Sequence, residues 1–211
     1  PEVFTFTIND NVISLQGTAA YQQGVESDFM GIFWDDDNSF TGFGDAESVW
    51  TKIDVITHVD ELPFTPSFDD VAIQASFAII DANEDGKTWS FEGSNAKYTY
   101  NSSLAADDWL ISPAIKLEAG KNYYFGIDAK CNGYTEKFEV MMGKEGDPIL
   151  AQTVIDKTIV TNEDFITYEN EFVTVAETGY YYIGIHAISD PDQWNLFVTN
   201  FVVKEGAAGT A

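Results

Sequence analysis

The stretch from Tyr180 to Ile188 reads YYYIGIHAI, and it shows the pattern that recurs along the chain. Tyr180, Tyr182 and His186 alternate with a purely apolar set, and a period of two residues is that of a β-strand. A strand with one apolar face must bury that face against a second layer. The stretch therefore predicts one strand of a layered β protein.

Other short runs share this character, being rich in Val, Ile, Phe, Tyr and Thr and bounded by Gly, Asn, Asp or Pro. They lie at residues 3–8, 29–34, 49–56, 123–129, 137–142, 172–175 and 196–203. No segment keeps the i, i+3, i+4, i+7 apolar face of an amphipathic helix over three turns. We therefore expect an all-β protein whose strands close into a sandwich or a barrel.

Composition excludes several classes of partner. The 211 residues include 35 acidic and 10 basic side chains, all of the latter lysine, which gives a formal net charge of −25. Such a polyanion is repelled by the phosphates of nucleic acids and of anionic lipids. The apolar runs are far shorter than the ~18 residues that span a bilayer. We expect neither nucleic-acid binding nor membrane insertion.

One shift in composition suggests a domain boundary, where Pro63 and Pro66 follow the acidic pair Asp60-Glu61. Residues 1–61 form a β-rich N-terminal segment, either a truncated domain or extra strands of the main domain. The main domain spans residues 62–204. Residues 205–211 (EGAAGTA) have the composition of a linker, so we expect other modules in the same parent chain.

Residues 81–92 (DANEDGKTWSFE) match the calcium-loop pattern D-x-[DN]-x-[DN]-G-x5-E. The predicted ligands are Asp81, Asn83, Asp85, the carbonyl of Lys87 and Glu92. Calcium prefers several hard oxygen ligands, and the glycine at the sixth position permits the sharp turn that gathers them. The flanking runs at 77–80 and 89–91 read as strands, whereas an EF-hand needs helices. We predict a calcium loop between strands; an acidic turn without metal is the alternative.

No catalytic site is predicted. His58 and His186 lie in separate segments, and the sequence has neither a G-x-S-x-G nor an H-E-x-x-H motif. The single cysteine, Cys131, excludes an internal disulfide framework and a four-thiolate zinc site. A glycosidase needs only two carboxylates, so a glycoside hydrolase fragment or accessory domain stays open. Asp107-Asp108 either cap a strand or reach a metal.

Ordered blocks of sequence lie at residues 63–70, 77–89, 106–117 (ADDWLISPAIKL), 134–140 and 185–203. Through them the chain resembles the cleaved-adhesin, or choice-of-anchor J, modules of Bacteroidetes surface proteins, which include the adhesin regions of gingipains. The resemblance implies a jelly-roll β-sandwich like those of carbohydrate-binding modules. It also implies structural calcium and adhesion or ligand binding, in a secreted protein or at the extracellular face of the outer membrane. Family members often carry two acids near the last strand; here Thr199-Asn200 stand there, and Asn200 is the candidate ligand.

Recognition of a sugar requires exposed aromatic faces and hydrogen-bonding side chains. Trp194, in the turn-rich DPDQWN stretch, and Tyr134, after Asn132-Gly133, are the best candidates, with Asp192 as a hydrogen-bonding partner. We therefore expect a non-catalytic, calcium-stabilised module that binds carbohydrate or a host surface protein. A structural spacer is the other alternative.

Overall fold

The computed structural model describes residues 55–147 and 149–206 in full, and the backbone of short strands before residue 52. The chain divides into two compact units, Pro1–Lys52 and Ile53–Ala211. In the first unit, β1 (Glu2–Ile8) and β2 (Asn11–Gly17) form one antiparallel pair. A three-stranded antiparallel sheet consists of β3 (Phe33–Trp34), β4 (Ser39–Thr41) and β5 (Val49–Thr51).

The second unit is built almost entirely from strands, which span two to eleven residues. In chain order they are β6 (His58–Val59), β7 (Ala78–Asp81), β8 (Trp89–Glu92), β9 (Asn95–Thr99), β10 (Asp108–Ile111), β11 (Ala114–Leu117), β12 (Tyr123–Cys131), β13 (Glu136–Lys144), β14 (Gln152–Val160), β15 (Ile166–Val173), β16 (Gly179–Ala187) and β17 (Asn195–Glu205). A short helix, α1 (Val71–Ser76), precedes β7. Its N-cap is Asp70, whose carboxylate accepts a hydrogen bond from the Ala72 N–H at 2.8 Å.

These strands form two sheets. The first has the order β14-β13-β16-β10-β7, with β11 also paired to β16 and β6 beside β11. The second has the order β15-β12-β17-β9-β8. Leu110 and Ile185 of the first sheet and Ile127 and Val198 of the second are fully buried in the core between them. The predicted jelly-roll β-sandwich is confirmed.

Alternation along β16, the central strand of its sheet, determines which of its faces is buried. Tyr181, Ile183 and Ile185 are buried in the core, whereas Tyr182 and His186 point to the other face and are half-buried. Each buried aliphatic side chain contributes roughly 1.5–3 kcal/mol relative to exposure. A shift of one residue in register would exchange the two faces, so this strand has one favourable pairing.

Residues 53–62, which immediately precede Pro63, are part of the second unit. His58 and Val59 pair in parallel with Ala114 and Ile115. The compact unit thus begins before the boundary that composition suggested after residue 61. At the other end β17 continues to Glu205, which composition had grouped with the linker. Residues 207–211 of that linker lie outside the described residues.

Candidate functional site

Three loops meet at one end of the sandwich. They are the β9–β10 segment (residues 100–107), the β12–β13 loop (132–135) and the β16–β17 loop (188–194). Backbone hydrogen bonds join the first and third: Tyr100 N–H to the Trp194 carbonyl at 3.0 Å, Asp192 N–H to Asn101 at 2.9 Å and Ala106 N–H to Ser189 at 2.9 Å. Side chains distant in sequence are thereby held at one place.

One aromatic side chain from each loop contributes to what we call the aromatic stack, Tyr100, Tyr134 and Trp194. The Trp194 ring lies 5.3 Å from the Tyr100 ring at 18° and 5.9 Å from the Tyr134 ring at 19°, centroid to centroid. Tyr134 is 54% exposed and Trp194 is 42% exposed. Exposed, nearly parallel rings of this kind offer an apolar platform to a ligand.

The indole N–H of Trp194 is satisfied within its own loop. The Asn195 amide is oriented so that both its oxygen and its nitrogen have partners. Its oxygen accepts from Trp194 Nε1 at 3.1 Å, and its nitrogen donates to the Trp194 carbonyl at 3.2 Å. The indole is therefore held by its polar edge.

A buried carboxylate, Glu136, fixes the loop that carries Trp194. Its side chain is inaccessible to solvent. Oε1 accepts from the Trp194 N–H at 2.8 Å and Oε2 accepts from Ser189 Oγ at 2.5 Å. Burial raises the pKa of Glu136, and the Ser189 hydroxyl opposes that rise. Glu136 is thus a positioning residue beneath the aromatic stack.

The structure brings together Trp194 and Tyr134, two of the residues expected at a ligand site. Asp192 lies two residues before Trp194, is exposed, and has a left-handed backbone with φ of +59°. Tyr100 and Glu136 were not anticipated from the sequence. Tyr100 follows the last residue of β9, and Glu136 is the first residue of β13.

The acidic loop between β7 and β8 is a tight turn closed by its own side chains. The two carboxylate oxygens of Asp81 accept from the N–H groups of Asp85 at 3.1 Å and Gly86 at 2.8 Å. Asp85 Oδ1 accepts from the Lys87 N–H at 2.7 Å. Gly86 has φ of +76°, a conformation that glycine adopts without strain. Each carboxylate oxygen has two lone pairs, so these bonds leave acceptor capacity.

Asp108 adds a buried carboxylate beside this loop. It lies opposite Asp81 in the β10–β7 pairing and is inaccessible to solvent. Asp108 Oδ1 and Thr88 Oγ1 are both buried and have no hydrogen-bond partner among the described residues. Burial is the largest cause that raises the pKa of Asp108 to about 6; the nearby Thr88 hydroxyl and the Asp107 N–H oppose that rise, and the carboxylates of Asp81 and Asp85 add to it. Unpartnered buried oxygens beside carboxylates are the donor type that a hard cation takes.

Two other predicted ligands lie elsewhere. Glu92 ends β8 and pairs with Lys97 of β9. Asn200 Nδ2 donates to Asp128 Oδ2 at 2.6 Å, on β12. Within residues 55–147 and 149–206, no three His, Cys, Asp or Glu side chains converge as a ready metal centre. The side-chain oxygens on and beside the acidic loop include those of Asp81, Asn83, Asp85, Thr88 and Asp108, and the predicted Lys87 carbonyl belongs to the same loop.

The acidic loop and the aromatic stack are attached to the same segment. Asn83 Nδ2 donates to the Ala105 carbonyl at 2.7 Å, and the Ala82 N–H donates to the Asp107 carbonyl at 2.9 Å. Residues 100–107 thus contact the acidic loop at one end and Trp194 at the other.

His186 is held on both sides. Its Nε2 lies 2.7 Å from Asp107 Oδ1, its Nδ1 lies 2.9 Å from Glu139 Oε1, and its ring stacks on Trp109 at 3.8 Å. Both nitrogens are occupied, so this arrangement does not offer a free general base.

Three solved structures share the architecture of the second unit. The K1 cleaved adhesin domain of Lys-gingipain from Porphyromonas gingivalis W83 matches with a TM-score of 0.52 and 20% identity, over 71% of this chain and 100% of that domain. The fold is that of the cleaved adhesin domains. The K3 domain from the same organism matches over 67% of this chain and 98% of its own, with 16% identity and a TM-score of 0.52. The K2 domain of Lys-gingipain matches over 68% and 98%, with 18% identity and a TM-score of 0.52.

The expected resemblance to cleaved adhesin domains is thus confirmed at the level of fold. No protein-family model and no curated protein sequence matches the chain. Among the described residues of this adhesin-like chain, none of the helices has the length and hydropathy needed to cross a membrane.

Proposed function

We propose that the second unit is a non-catalytic binding module, in a secreted or cell-surface protein with other modules, and that its ligand is a carbohydrate or a host surface protein. The aromatic stack is the ligand platform. The single observation that carries this proposal is that three loops place Tyr100, Trp194 and Tyr134 in one stack, in which Trp194 and Tyr134 are exposed.

The way the stack is held supports a binding role. Glu136 holds the Trp194 backbone from below, and backbone hydrogen bonds tie the same loop to Tyr100 and Asn101. A platform that is fixed before the ligand arrives loses little side-chain entropy on binding. A spacer domain has no need of a buried carboxylate that positions an exposed indole.

Calcium is the second part of the proposal. The ion would be held by oxygens of Asp81, Asn83, Asp85, Thr88 and Asp108, and it would offset the repulsion among the carboxylates and give a partner to Asp108 Oδ1. Its role is to stabilise the fold, because bound metal stabilises a native state by mass action. The loop would have to draw its carboxylates toward Asp108 to complete the coordination.

The ligand proposal is tested by screening the full chain on a glycan array and a panel of host surface proteins. We expect Trp194→Ala and Tyr134→Ala to lose the binding that the wild type shows. Phe172→Ala is the matched control, because Phe172 is also an exposed aromatic residue, at 71%, but lies on β15.

Two results would contradict the proposal. Silence of the wild type on both panels would favour a spacer. Hydrolysis of chromogenic glycosides that a single Asp or Glu substitution abolishes would favour a glycoside hydrolase, since such enzymes depend on paired carboxylates.

A further inference from the structure

The unpaired charge on the loop of Trp194 is negative. Asp192 is exposed, lies two residues from Trp194, and forms no ion pair among the described residues. Glu136 lies beneath the Trp194 backbone, where its carboxylate accepts from Ser189 Oγ and the Trp194 N–H. The whole chain carries a net charge of −25. A ligand on the stack therefore enters a negative potential.

The lysines of the strands that lead into these loops are already engaged. Lys137 of β13 lies 2.5 Å from Asp190 Oδ2. Lys130 of β12 lies over the rings of Phe165, at 4.8 Å, and Phe197, at 5.6 Å. Lys97 of β9 pairs with Glu92. These lysines offer no free cation to a carboxylate or sulfate group of a ligand.

The ring faces add to the same preference. The face of an aromatic ring is negative and attracts a cation, most strongly for tryptophan. Trp194 and Tyr134 are exposed, and Asp192, two residues before Trp194, is exposed as well. A ligand that combines an apolar ring face with a positive charge satisfies both features at once.

We propose that the aromatic stack selects sugars that carry a protonated amine, such as oligomers of glucosamine, over neutral and anionic sugars. This selectivity rests on the proposed ligand platform. The rings bind the apolar face of the sugar, as they would for any pyranose. The amine interacts with the ring faces and with Asp192, and its positive charge distinguishes it from the neutral and larger N-acetyl group.

The test is calorimetric titration of the full chain, at low salt and in mildly acidic buffer that protonates the amine. The probes are a glucosamine hexasaccharide, its neutral N-acetylglucosamine counterpart, a heparin hexasaccharide and hexalysine. We expect the glucosamine oligomer to bind about tenfold more tightly than the neutral one, and heparin not to bind. The difference should shrink as salt is added, because exposed charges are screened.

Two substitutions that each remove one negative charge distinguish the effect of local charge from that of net charge. Asp192→Asn should weaken the binding of the glucosamine oligomer about fivefold more than that of the neutral oligomer, because it removes the charge and keeps a hydrogen-bonding side chain. Asparagine tolerates the left-handed backbone at this position, so the fold is retained. Asp156→Asn, an exposed acid on β14, should change neither affinity. Equal effects of the two variants would overturn the proposal, since the preference would then come from net charge alone.

The outcomes distinguish this inference from the proposed function. Equal binding of the glucosamine and N-acetyl oligomers, or tighter binding of heparin, overturns the selectivity while the ligand platform stands. The selectivity is also overturned if hexalysine binds the wild type as tightly as the glucosamine oligomer does and still binds Trp194→Ala. If no oligosaccharide binds and the array is silent, the ligand platform itself is wrong.

Discussion

The backbone N–H of Trp194 donates to the buried carboxylate of Glu136 at 2.8 Å. Trp194 is exposed and Glu136 is inaccessible, so this bond connects a surface loop to the interior of the sandwich. The same carboxylate accepts from Ser189 Oγ at the start of that loop. The position of the aromatic platform therefore depends on one buried acid.

Replacing that acid should loosen the loop. Glu136→Ala leaves the Trp194 N–H and Ser189 hydroxyl without their acceptor and creates a cavity, so we expect a loss of about 2–4 kcal/mol in the free energy of unfolding. Glu136→Gln keeps one acceptor oxygen and should lose less. Urea denaturation measures both, and an alanine variant as stable as the wild type would refute the positioning role.

Stability should depend on the ionisation of Asp108. Folding raises the pKa of Asp108 from 3.8 to about 6. The folded state thus favours the protonated carboxyl, and this stabilisation is complete below about pH 4 and lost as the pH rises through about 6. The free energy of unfolding should fall by on the order of 3 kcal/mol over this range.

The side chain of Asp108→Asn does not titrate. Without calcium, the free energy of unfolding of this variant should therefore increase by on the order of 3 kcal/mol relative to that of the wild type as the pH rises from about 4 to about 7. The measurement is urea denaturation in EGTA at both pH values, with Asp156→Asn on β14 as the control. A constant difference between Asp108→Asn and wild type across this range would contradict the prediction.

Calcium should raise the melting temperature above its value in EGTA. Asp81→Asn and Asp108→Asn should reduce that increase, because each removes a carboxylate from the proposed coordination. Glu92→Gln should not, since Glu92 is paired with Lys97 at the far end of β8. Thermal melts of the four proteins decide the matter: an unchanged wild-type midpoint would exclude the site, and an effect of Glu92→Gln would exclude this ligand set.

Residues 53–206 should fold without the N-terminal unit. The compact unit begins at Ile53, and the Lys-gingipain K1 domain, matched over its whole length, corresponds to 71% of this chain. Circular dichroism of this fragment should show a cooperative melt. A fragment without a cooperative transition would show that the N-terminal unit is required for the core.

The period-two pattern was sufficient to predict an all-β protein closed as a sandwich or a barrel, because alternation is a local property of each strand; the jelly-roll sandwich was predicted from the family resemblance. Tyr181, Ile183 and Ile185 are buried as the YYYIGIHAI stretch predicts. The order of the strands in each sheet could not be predicted from the sequence, because pairings such as β9 with β17 join residues far apart in the chain, for example Lys97 with Phe197.

Parts of the site escaped prediction for physical reasons. Tyr98 is buried, so continued alternation would bury Tyr100 as well, but the strand ends at Thr99. Glu136 shares a face of β13 with Phe138 and Val140, yet a charged residue is rarely fully buried. Glu92 matched the calcium pattern only in its sequence position. It lies three residues after Trp89 in an extended strand, which places it roughly 10 Å away from the loop.

The central claim is that the aromatic stack is the ligand site. Its most direct test is the dissociation constant of the best array ligand for the wild type, Trp194→Ala and Phe172→Ala, measured by calorimetry on the full chain. We predict at least a tenfold loss for Trp194→Ala, as for a residue at the centre of a binding site, and no change for Phe172→Ala. Undiminished binding by Trp194→Ala would contradict the account.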